Sequence, residues 1–160
     1  MSKYIILDLD NCIANDMWRI PAINWQWSNP THRYHDYHSL SGFDEVGNED
    51  LIWGHGKKIL IFTARPVQYA AITHEWLRRK GIEAAEVIMR NNGDHRSSAE
   101  LKQAMALWLP SNYGIQLDEI AHAYDDREDV VEMYRAMGIA ASVRAIHNVG
   151  AYTTAEEPAA

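Results

Sequence analysis

Short apolar runs that end in polar residues, separated by helical segments, are the feature that most constrains the fold of this chain. Strands are predicted at residues 4–9, 57–63, 86–89, 121–124 and 142–146. Apolar residues at helical spacing predict helices at 67–80, 97–109 and 129–137. Because strands alternate with helices, the expected fold is α/β with a parallel sheet. In such sheets, functional side chains collect at the carboxyl ends of the strands.

The segment 15–56 departs from this pattern. It is rich in Trp, Tyr, His, Asn and Pro and has little periodicity. We expect a helix and an irregular, cap-like insertion that lies over the strand ends. The length of 160 residues fits one domain, at 1–150, and the tail 151–160 is expected to be poorly ordered.

Composition narrows the classes of function. The formal net charge is -7 and the basic residues are scattered, which weighs against a protein that coats nucleic acid. A small substrate, or one terminal phosphate, remains compatible. Cys12 is the only cysteine, which excludes an internal disulfide, and the first apolar run is too short to span a bilayer. A soluble, cytoplasmic protein without a membrane partner is therefore expected.

Two carboxylates, Asp8 and Asp10, end the first predicted strand. Side chains two apart on a strand point to the same side, and carboxylates that are so close repel each other unless a cation lies between them. Mg²⁺, which prefers oxygen ligands, suits such a pair. The alternative is a pair that caps the following segment.

Polar residues also follow the other strands. Thr63 and Arg65 could hold a phosphoryl group, although a threonine before a helix is often an N-cap. Asp125 and Asp126 suggest a metal site or, alternatively, an N-cap. Lys102, on a predicted helix, could neutralise a phosphate or a carboxylate, although a helical lysine is usually solvated.

Taken in order, these motifs resemble the four-motif signature of the haloacid-dehalogenase (HAD) superfamily over residues 4–135. The resemblance implies a Rossmann-like parallel sheet sandwiched by helices. It also implies Mg²⁺-dependent phosphatase chemistry with Asp8 as nucleophile and Asp10 as acid/base. Asn11-Cys12 stands where the superfamily usually has Gly-Thr. Asparagine tolerates a left-handed turn, and Cys12 is expected to be a small packed residue.

A narrower resemblance points to the 3′-phosphatase domain of phage polynucleotide kinases. The matching residues are Arg19, nine positions after Asp10, then Thr63-Ala64-Arg65, Gly93-Asp94-His95-Arg96 with Lys102, and Asp125-Asp126-Arg127. No Gly-rich Walker motif occurs, so a free-standing phosphatase module is expected.

This resemblance implies roles for the matched residues. Arg19, Arg65 and Arg96 would contact phosphate or hold the site together, and Asp94 would orient one of these cations. The metal ligands would be Asp8, the backbone carbonyl of Asp10, and one acid of the fourth motif, with Asp126 favoured over Asp125.

The implied substrate is a nucleotide or a nucleic-acid end that carries a 3′-phosphate. The acidic composition leaves a nucleoside 5′-monophosphate phosphatase open, and a non-catalytic nucleotide-binding domain is the alternative of another class. Aromatic residues of the insertion could stack a base or simply pack it against the domain: Trp18, Trp25, Trp27, Tyr34 and Tyr37. His32, His35 and His38 would lie along one side of a helix, as a transition-metal site or as a solvated or substrate-facing cluster.

Overall fold

A computed structural model describes residues 2–148 of the chain, so the predicted tail lies outside the described residues. The strands are β1 (Tyr4–Leu7), β2 (Ala14–Asn15), β3 (Glu45–Val46), β4 (Lys58–Pro66), β5 (Glu86–Arg90), β6 (Ile120–Asp125) and β7 (Ala141–Val143). The α-helices are α1 (Pro30–Arg33), α2 (His35–Ser39), α3 (Ala70–Arg79), α4 (Ser98–Trp108) and α5 (Glu128–Ala136). None of the helices within residues 2–148 is both long and apolar enough to cross a membrane.

Five strands form one parallel sheet in the order β5-β4-β1-β6-β7, which confirms the predicted α/β fold. The prediction of the first strand was too long, because β1 ends at Leu7. The chain turns there: the Leu9 carbonyl accepts hydrogen bonds from the N–H groups of Cys12, Ile13 and Ala14 at 2.9–3.0 Å. This turn occupies the backbone groups that would otherwise extend the strand.

The sheet is covered on both faces. Alternate side chains of β1 face opposite ways, so Ile6 packs in the cluster formed with α4 and α5. Ile5 and Leu7 pack on the other face with Trp76 of α3. Cys12 is fully buried in that second cluster, as expected for a small packed residue.

Ser97 is the N-cap of α4, as the sequence predicts. Its Oγ accepts the Glu100 N–H at 3.2 Å and donates to the Glu100 carboxylate at 3.0 Å. We expect Ser97→Ala to lower the free energy of unfolding by about 1 kcal/mol, because the first turn loses its side-chain acceptor. Urea unfolding measures this difference. Ser111→Ala, at an exposed serine, is the matched control and should change stability by less than about 0.5 kcal/mol.

The insertion contains two short α-helices instead of the one expected. Helix α1 ends before Tyr34, and α2 begins after it. His32 therefore lies on α1, while His35 and His38 lie on α2, so the three histidines do not line one side of a helix. His35 Nδ1 contacts the Tyr69 hydroxyl at 2.8 Å, and His38 is buried. The predicted histidine cluster is wrong because the helix breaks between its members.

Candidate active site

The carboxyl ends of β1, β4 and β6 meet at one edge of the sheet, because these neighbouring strands are parallel. A small cavity lies at this edge and is here called the catalytic cavity. The predicted residues that line it come from three strand ends and one helix: Asp8, Asp10, Thr63, Lys102 and Asp126. The insertion adds Tyr37 and His38.

Lys102 reaches from α4 into this edge and is 2% exposed. Its Nζ donates to Asp8 Oδ1 at 2.8 Å and to Asp125 Oδ2 at 2.6 Å. Burial alone would lower the pKa of Lys102, but the two carboxylates raise it well above its ordinary value. Lys102 is therefore a permanently charged link between the first and fourth motifs and not a solvated helical lysine.

Asp8, Asp125 and Asp126 form a buried acidic cluster. One carboxylate oxygen from each lies within 4.8 Å of the others. Burial, followed by the charge of Asp125, raises the pKa of Asp8 to about 7. Burial and the charge of Asp8 raise the pKa of Asp126 well above its ordinary value. Burial and mutual repulsion both disfavour the ionised carboxylates, and all the available ligand atoms are oxygens, so the cluster fits a hard cation such as Mg²⁺.

The three carboxylates are not equally free to bind a cation. Asp125 accepts from Lys102 and from the Arg127 N–H, the latter at 3.0 Å. Asp126 accepts from the Asn11 side chain at 3.2 Å. This difference agrees with the preference for Asp126 over Asp125 as the direct ligand, which stays a prediction.

The Asp10 carboxylate lies apart from the acidic cluster. It accepts from Arg65 Nη2 at 2.6 Å and from Arg19 Nη2. Although burial alone would raise the pKa of Asp10, Arg19 and then Arg65 hold it well below its ordinary value. The Asp10 carboxylate is thus bound by two guanidinium groups. The metal ligand predicted at Asp10 is its backbone carbonyl oxygen.

Arg19 is buried, and all three nitrogens of its guanidinium group donate hydrogen bonds. Its guanidinium donates to Asp44 at 2.8–3.2 Å and to the Tyr37 carbonyl at 3.0 Å, besides its bond to Asp10. Asp44 is itself fully buried and also accepts from the Trp18 indole at 2.9 Å. Of the two roles implied for Arg19, this geometry supports holding the site together. No motif or periodic pattern points to Asp44, which lies in an irregular segment.

Arg65 is also buried and also holds Asp10. Its Nη1 donates to Thr73 Oγ1 at 2.8 Å, and its backbone N–H donates to the Thr63 hydroxyl at 3.1 Å. The Arg65 side chain is 1% exposed. Arg65 therefore positions Asp10 from the side of β4, while Thr63 lines the cavity.

A second network that the sequence analysis missed surrounds Asn11. Asn11 has φ 62°, the left-handed conformation expected at this position. Its side chain accepts from the His147 N–H at 2.9 Å. The His147 ring lies 2.6 Å from Asp16, which also accepts from the Tyr37 hydroxyl. Residues near the end of the described chain thereby fix the loop that follows the nucleophile candidate.

The segment with Asp94 and Arg96 lies outside the catalytic cavity. Arg96 pairs with Asp94 at 2.8 Å and its side chain is 42% exposed. Hydrogen bonding from Arg96 lowers the pKa of Asp94 to about 2. Arg90 donates to the carbonyls of Asp94 and Arg96 at 2.8 Å. Arg96 does not line the catalytic cavity, whereas Asp94 lines a neighbouring cleft. The phosphate contact of Arg96 stays a prediction.

The insertion aromatics divide into two groups. Trp18 packs edge-to-face on Phe43, Trp25 on Tyr34, and Trp27 lies 5.0 Å from the His32 ring. These tryptophans pack within the insertion and line neither the catalytic cavity nor the neighbouring cleft. Of the predicted stacking residues, Tyr37 lines the cavity and Tyr34 lines the cleft.

Comparison with known proteins places this geometry in a family. The sequence model of the polynucleotide kinase PNKP phosphatase domain matches residues 2–144. No curated protein sequence matches the chain. Among solved structures, the chain is similar to one in the Pnkp1/Rnl/Hen1 RNA repair complex, with TM-score 0.64 and 19% identity. That match covers 92% of this chain and 44% of the other, so this chain spans less than half of that relative.

Two shorter relatives are matched over nearly their whole length. A hydrolase from Streptococcus pneumoniae TIGR4 has TM-score 0.58 and 15% identity, over 93% of this chain and 96% of that one. A HAD family enzyme from Bacteroides thetaiotaomicron, in complex with magnesium and inorganic phosphate, has TM-score 0.53 and 11% identity, over 93% and 98%. At these identities the likenesses show the fold.

Proposed function

Because the chain belongs to the PNKP phosphatase domain family of HAD phosphatases, we propose that it removes the 3′-phosphate from a nucleotide or nucleic-acid end. The observation that carries the proposal is the buried cluster of Asp8, Asp125 and Asp126 beside Lys102, with Asp10 held separately on two arginines. A binding module would not need both a charge-compensated nucleophile candidate and a separate acid/base candidate.

In the proposed reaction, Asp8 attacks phosphorus and forms an aspartyl-phosphate while the bond to the sugar oxygen breaks. Asp10 gives its proton to the leaving oxygen and then takes a proton from the water that hydrolyses the intermediate. Arg19 and Arg65 favour the ionised Asp10, the form that accepts a proton. A phosphate dianion bound nearby raises the pKa of Asp10, because a like charge disfavours ionisation, and this favours its role as donor.

Positively charged side chains of the protein offset the negative charge of the carboxylates in this site. Lys102 holds Asp8 in place and offsets its negative charge, so the carboxylate can approach an anionic substrate. The Thr63 hydroxyl, on β4 in the cavity wall, would hydrogen bond a phosphoryl oxygen. Mg²⁺ bound by Asp8, Asp126 and the Asp10 carbonyl would supply Lewis-acid stabilisation of phosphoryl charge.

The proposal is tested by phosphate release from a matched panel. The substrates are a 3′-phosphorylated oligonucleotide, nucleoside 3′-monophosphates and nucleoside 5′-monophosphates, each with Mg²⁺ and with chelator. We expect release from 3′-phosphates with Mg²⁺ and its loss with chelator, because the acidic cluster then lacks its counter-charge.

The other outcomes identify the rival functions. Release confined to 5′-monophosphates would make the protein a 5′-nucleotidase. The net charge of -7 favours this function over that of an enzyme that binds along a nucleic-acid strand. Nucleotide binding without release from any substrate would indicate the non-catalytic alternative.

A further inference from the structure

The side chain of Asn11 joins the fourth motif to the segment that follows β7. It is fully buried, and its amide makes four hydrogen bonds, which is its full capacity. Oδ1 accepts from the backbone N–H groups of Ile146 at 3.2 Å and His147 at 2.9 Å. Nδ2 donates to the His147 carbonyl at 3.1 Å and to Asp126 Oδ2 at 3.2 Å.

The surroundings of this amide fix which of its ends faces Asp126. The two backbone N–H groups can only donate, so the amide oxygen must face them, and the His147 carbonyl can only accept, so the nitrogen must face it. Turning the amide over would lose these bonds inside the protein, where unmade hydrogen bonds are costly. The segment after β7 therefore determines that a donor is directed at the Asp126 carboxylate.

The backbone of Asn11 explains how this side chain reaches its place. The residue has φ 62°, its N–H donates to the Ala14 carbonyl at 2.9 Å, and its carbonyl accepts from the Ile146 N–H at 3.0 Å. Glycine, the usual residue of the superfamily at this position, adopts such a φ easily but has no amide side chain. The bond to Asp126 is therefore a property of this chain and not of the shared motif.

A donor in this position orients a carboxylate that can bind a cation. Asp126 is 4% exposed and belongs to the acidic cluster with Asp8 and Asp125. An ionised carboxylate has about four lone-pair sites, so the bond from Asn11 leaves room for a cation. Groups that hydrogen bond a metal ligand fix its orientation, and their loss typically lowers metal affinity about 10–100-fold.

We propose that Asn11 is a positioning residue that holds Asp126 for the cation, and that residues 144–147 in turn hold Asn11. The same segment contacts the neighbouring acid, because the Arg144 N–H donates to the Asp125 carbonyl at 2.9 Å. The inference rests on the proposed function, since it takes Asp126 as a direct ligand of Mg²⁺. It adds that the metal site is complete only when residues 144–147 are packed against the loop after β1.

The first test uses Asn11→Gly, which suits the left-handed turn but removes the amide. Bound Mg²⁺ raises the melting temperature because it stabilises the folded state. The variant should need about tenfold more Mg²⁺ than the wild type for the same rise. Circular dichroism melting in a Mg²⁺ titration measures this without any substrate. Asp126→Asn should abolish the rise, and a rise that persists in Asp126→Asn would overturn the inference.

Asn48→Gly is the matched control. Asn48 also has a left-handed backbone, with φ 48°, and supports the same loop by donating to the Cys12 carbonyl at 2.7 Å. Its side chain also accepts from Arg144 at 3.1 Å. Asn48→Gly should lower the melting temperature in the absence of Mg²⁺ but change the Mg²⁺ requirement by less than about twofold. An equal change in Asn11→Gly and Asn48→Gly would reduce Asn11 to loop support and overturn the inference.

Hydrogen exchange in the wild-type protein gives a test that does not depend on a variant folding. Coupling is reciprocal, so if the packed segment favours cation binding, the cation favours the packed segment. Mg²⁺ should slow exchange of the Ile146 and His147 backbone N–H groups by about fivefold or more. The Gly81 N–H, in the turn after α3, should exchange at the same rate with and without Mg²⁺. Unchanged exchange at Ile146 and His147 would overturn the inference.

Phosphate release separates this inference from the proposed function. With p-nitrophenyl phosphate, Asn11→Gly should lose activity at low Mg²⁺ and regain kcat to within about threefold of the wild type at saturating Mg²⁺. A higher Mg²⁺ requirement for the melting response of Asn11→Gly, with no phosphate release by the wild type, would support the positioning role and overturn the proposed function. Mg²⁺-dependent phosphate release with the same Mg²⁺ requirement in both proteins would support the phosphatase and overturn the positioning role.

Discussion

Asp8→Asn is expected to abolish phosphate release while the protein stays folded. The amide cannot act as the nucleophile, and losses on removal of a nucleophile are on the order of 10⁴-fold or more in kcat. The fold should persist because Lys102 keeps its 2.6 Å bond to Asp125 after the Asp8 charge is gone. Phosphate release with Mg²⁺ and thermal unfolding followed by circular dichroism measure the two effects.

Asp118→Asn is the matched control for this prediction. Asp118 is an exposed carboxylate before β6, outside both cavities, so its loss should change neither activity nor melting. An Asp8→Asn protein that is folded and retains a tenth of the wild-type rate would remove Asp8 from the role of nucleophile.

Arg19→Met is expected to lower the free energy of unfolding by about 3–5 kcal/mol, the cost of leaving a buried charge unpaired. Arg19 and Asp44 are both essentially inaccessible, and the same guanidinium holds Asp10. Methionine fills much of the space but leaves the Asp44 carboxylate without its charged partner, with only the Trp18 indole as a donor. Activity should fall by about 10²-fold or more as well, because Asp10 loses one of the groups that orient it.

The double variant Arg19→Met/Asp44→Asn separates these two effects. Removing the unpaired charge of Asp44 should restore part of the stability, measured by urea unfolding, but not the activity, because Asp10 still lacks Arg19. If Arg19→Met changed stability by less than about 1 kcal/mol, the buried ion-pair network would not be the support that we infer.

The residues that the sequence analysis located correctly share a simple geometric cause. Asp8 and Asp125 lie at or next to the carboxyl ends of parallel strands, and Thr63 lies in the carboxyl-terminal half of β4, so a local hydrophobic pattern is enough to bring them together. The N-cap at Ser97 also depends only on residues that are close in the sequence. Lys102 was placed through the resemblance, and the structure shows its contact with Asp8 directly.

The residues that were missed or misplaced have no such periodic signal. Asp44 and Asp16 lie in the irregular insertion, and Asp16 meets His147 across 131 positions of the chain. Arg96 illustrates a different limit: the resemblance implies that Asp94 orients one of the arginines, and Arg96 does pair with it, but the motif does not say that the pair lies outside the catalytic cavity. His38 packs among the rings of Tyr34, Tyr37 and Tyr69, an arrangement that no pattern of residue types predicts.

The measurement that tests the central claim most directly is the trapping of a phosphoryl group on Asp8. Asp10→Asn removes the acid/base group but leaves Asp8 intact, and p-nitrophenyl phosphate needs no proton for its leaving oxygen. The variant should therefore form the aspartyl-phosphate and hydrolyse it slowly. After acid quench, peptide mass spectrometry should find the phosphoryl group on Asp8. A phosphoryl group on another residue, or steady turnover with none on the protein, would contradict the account.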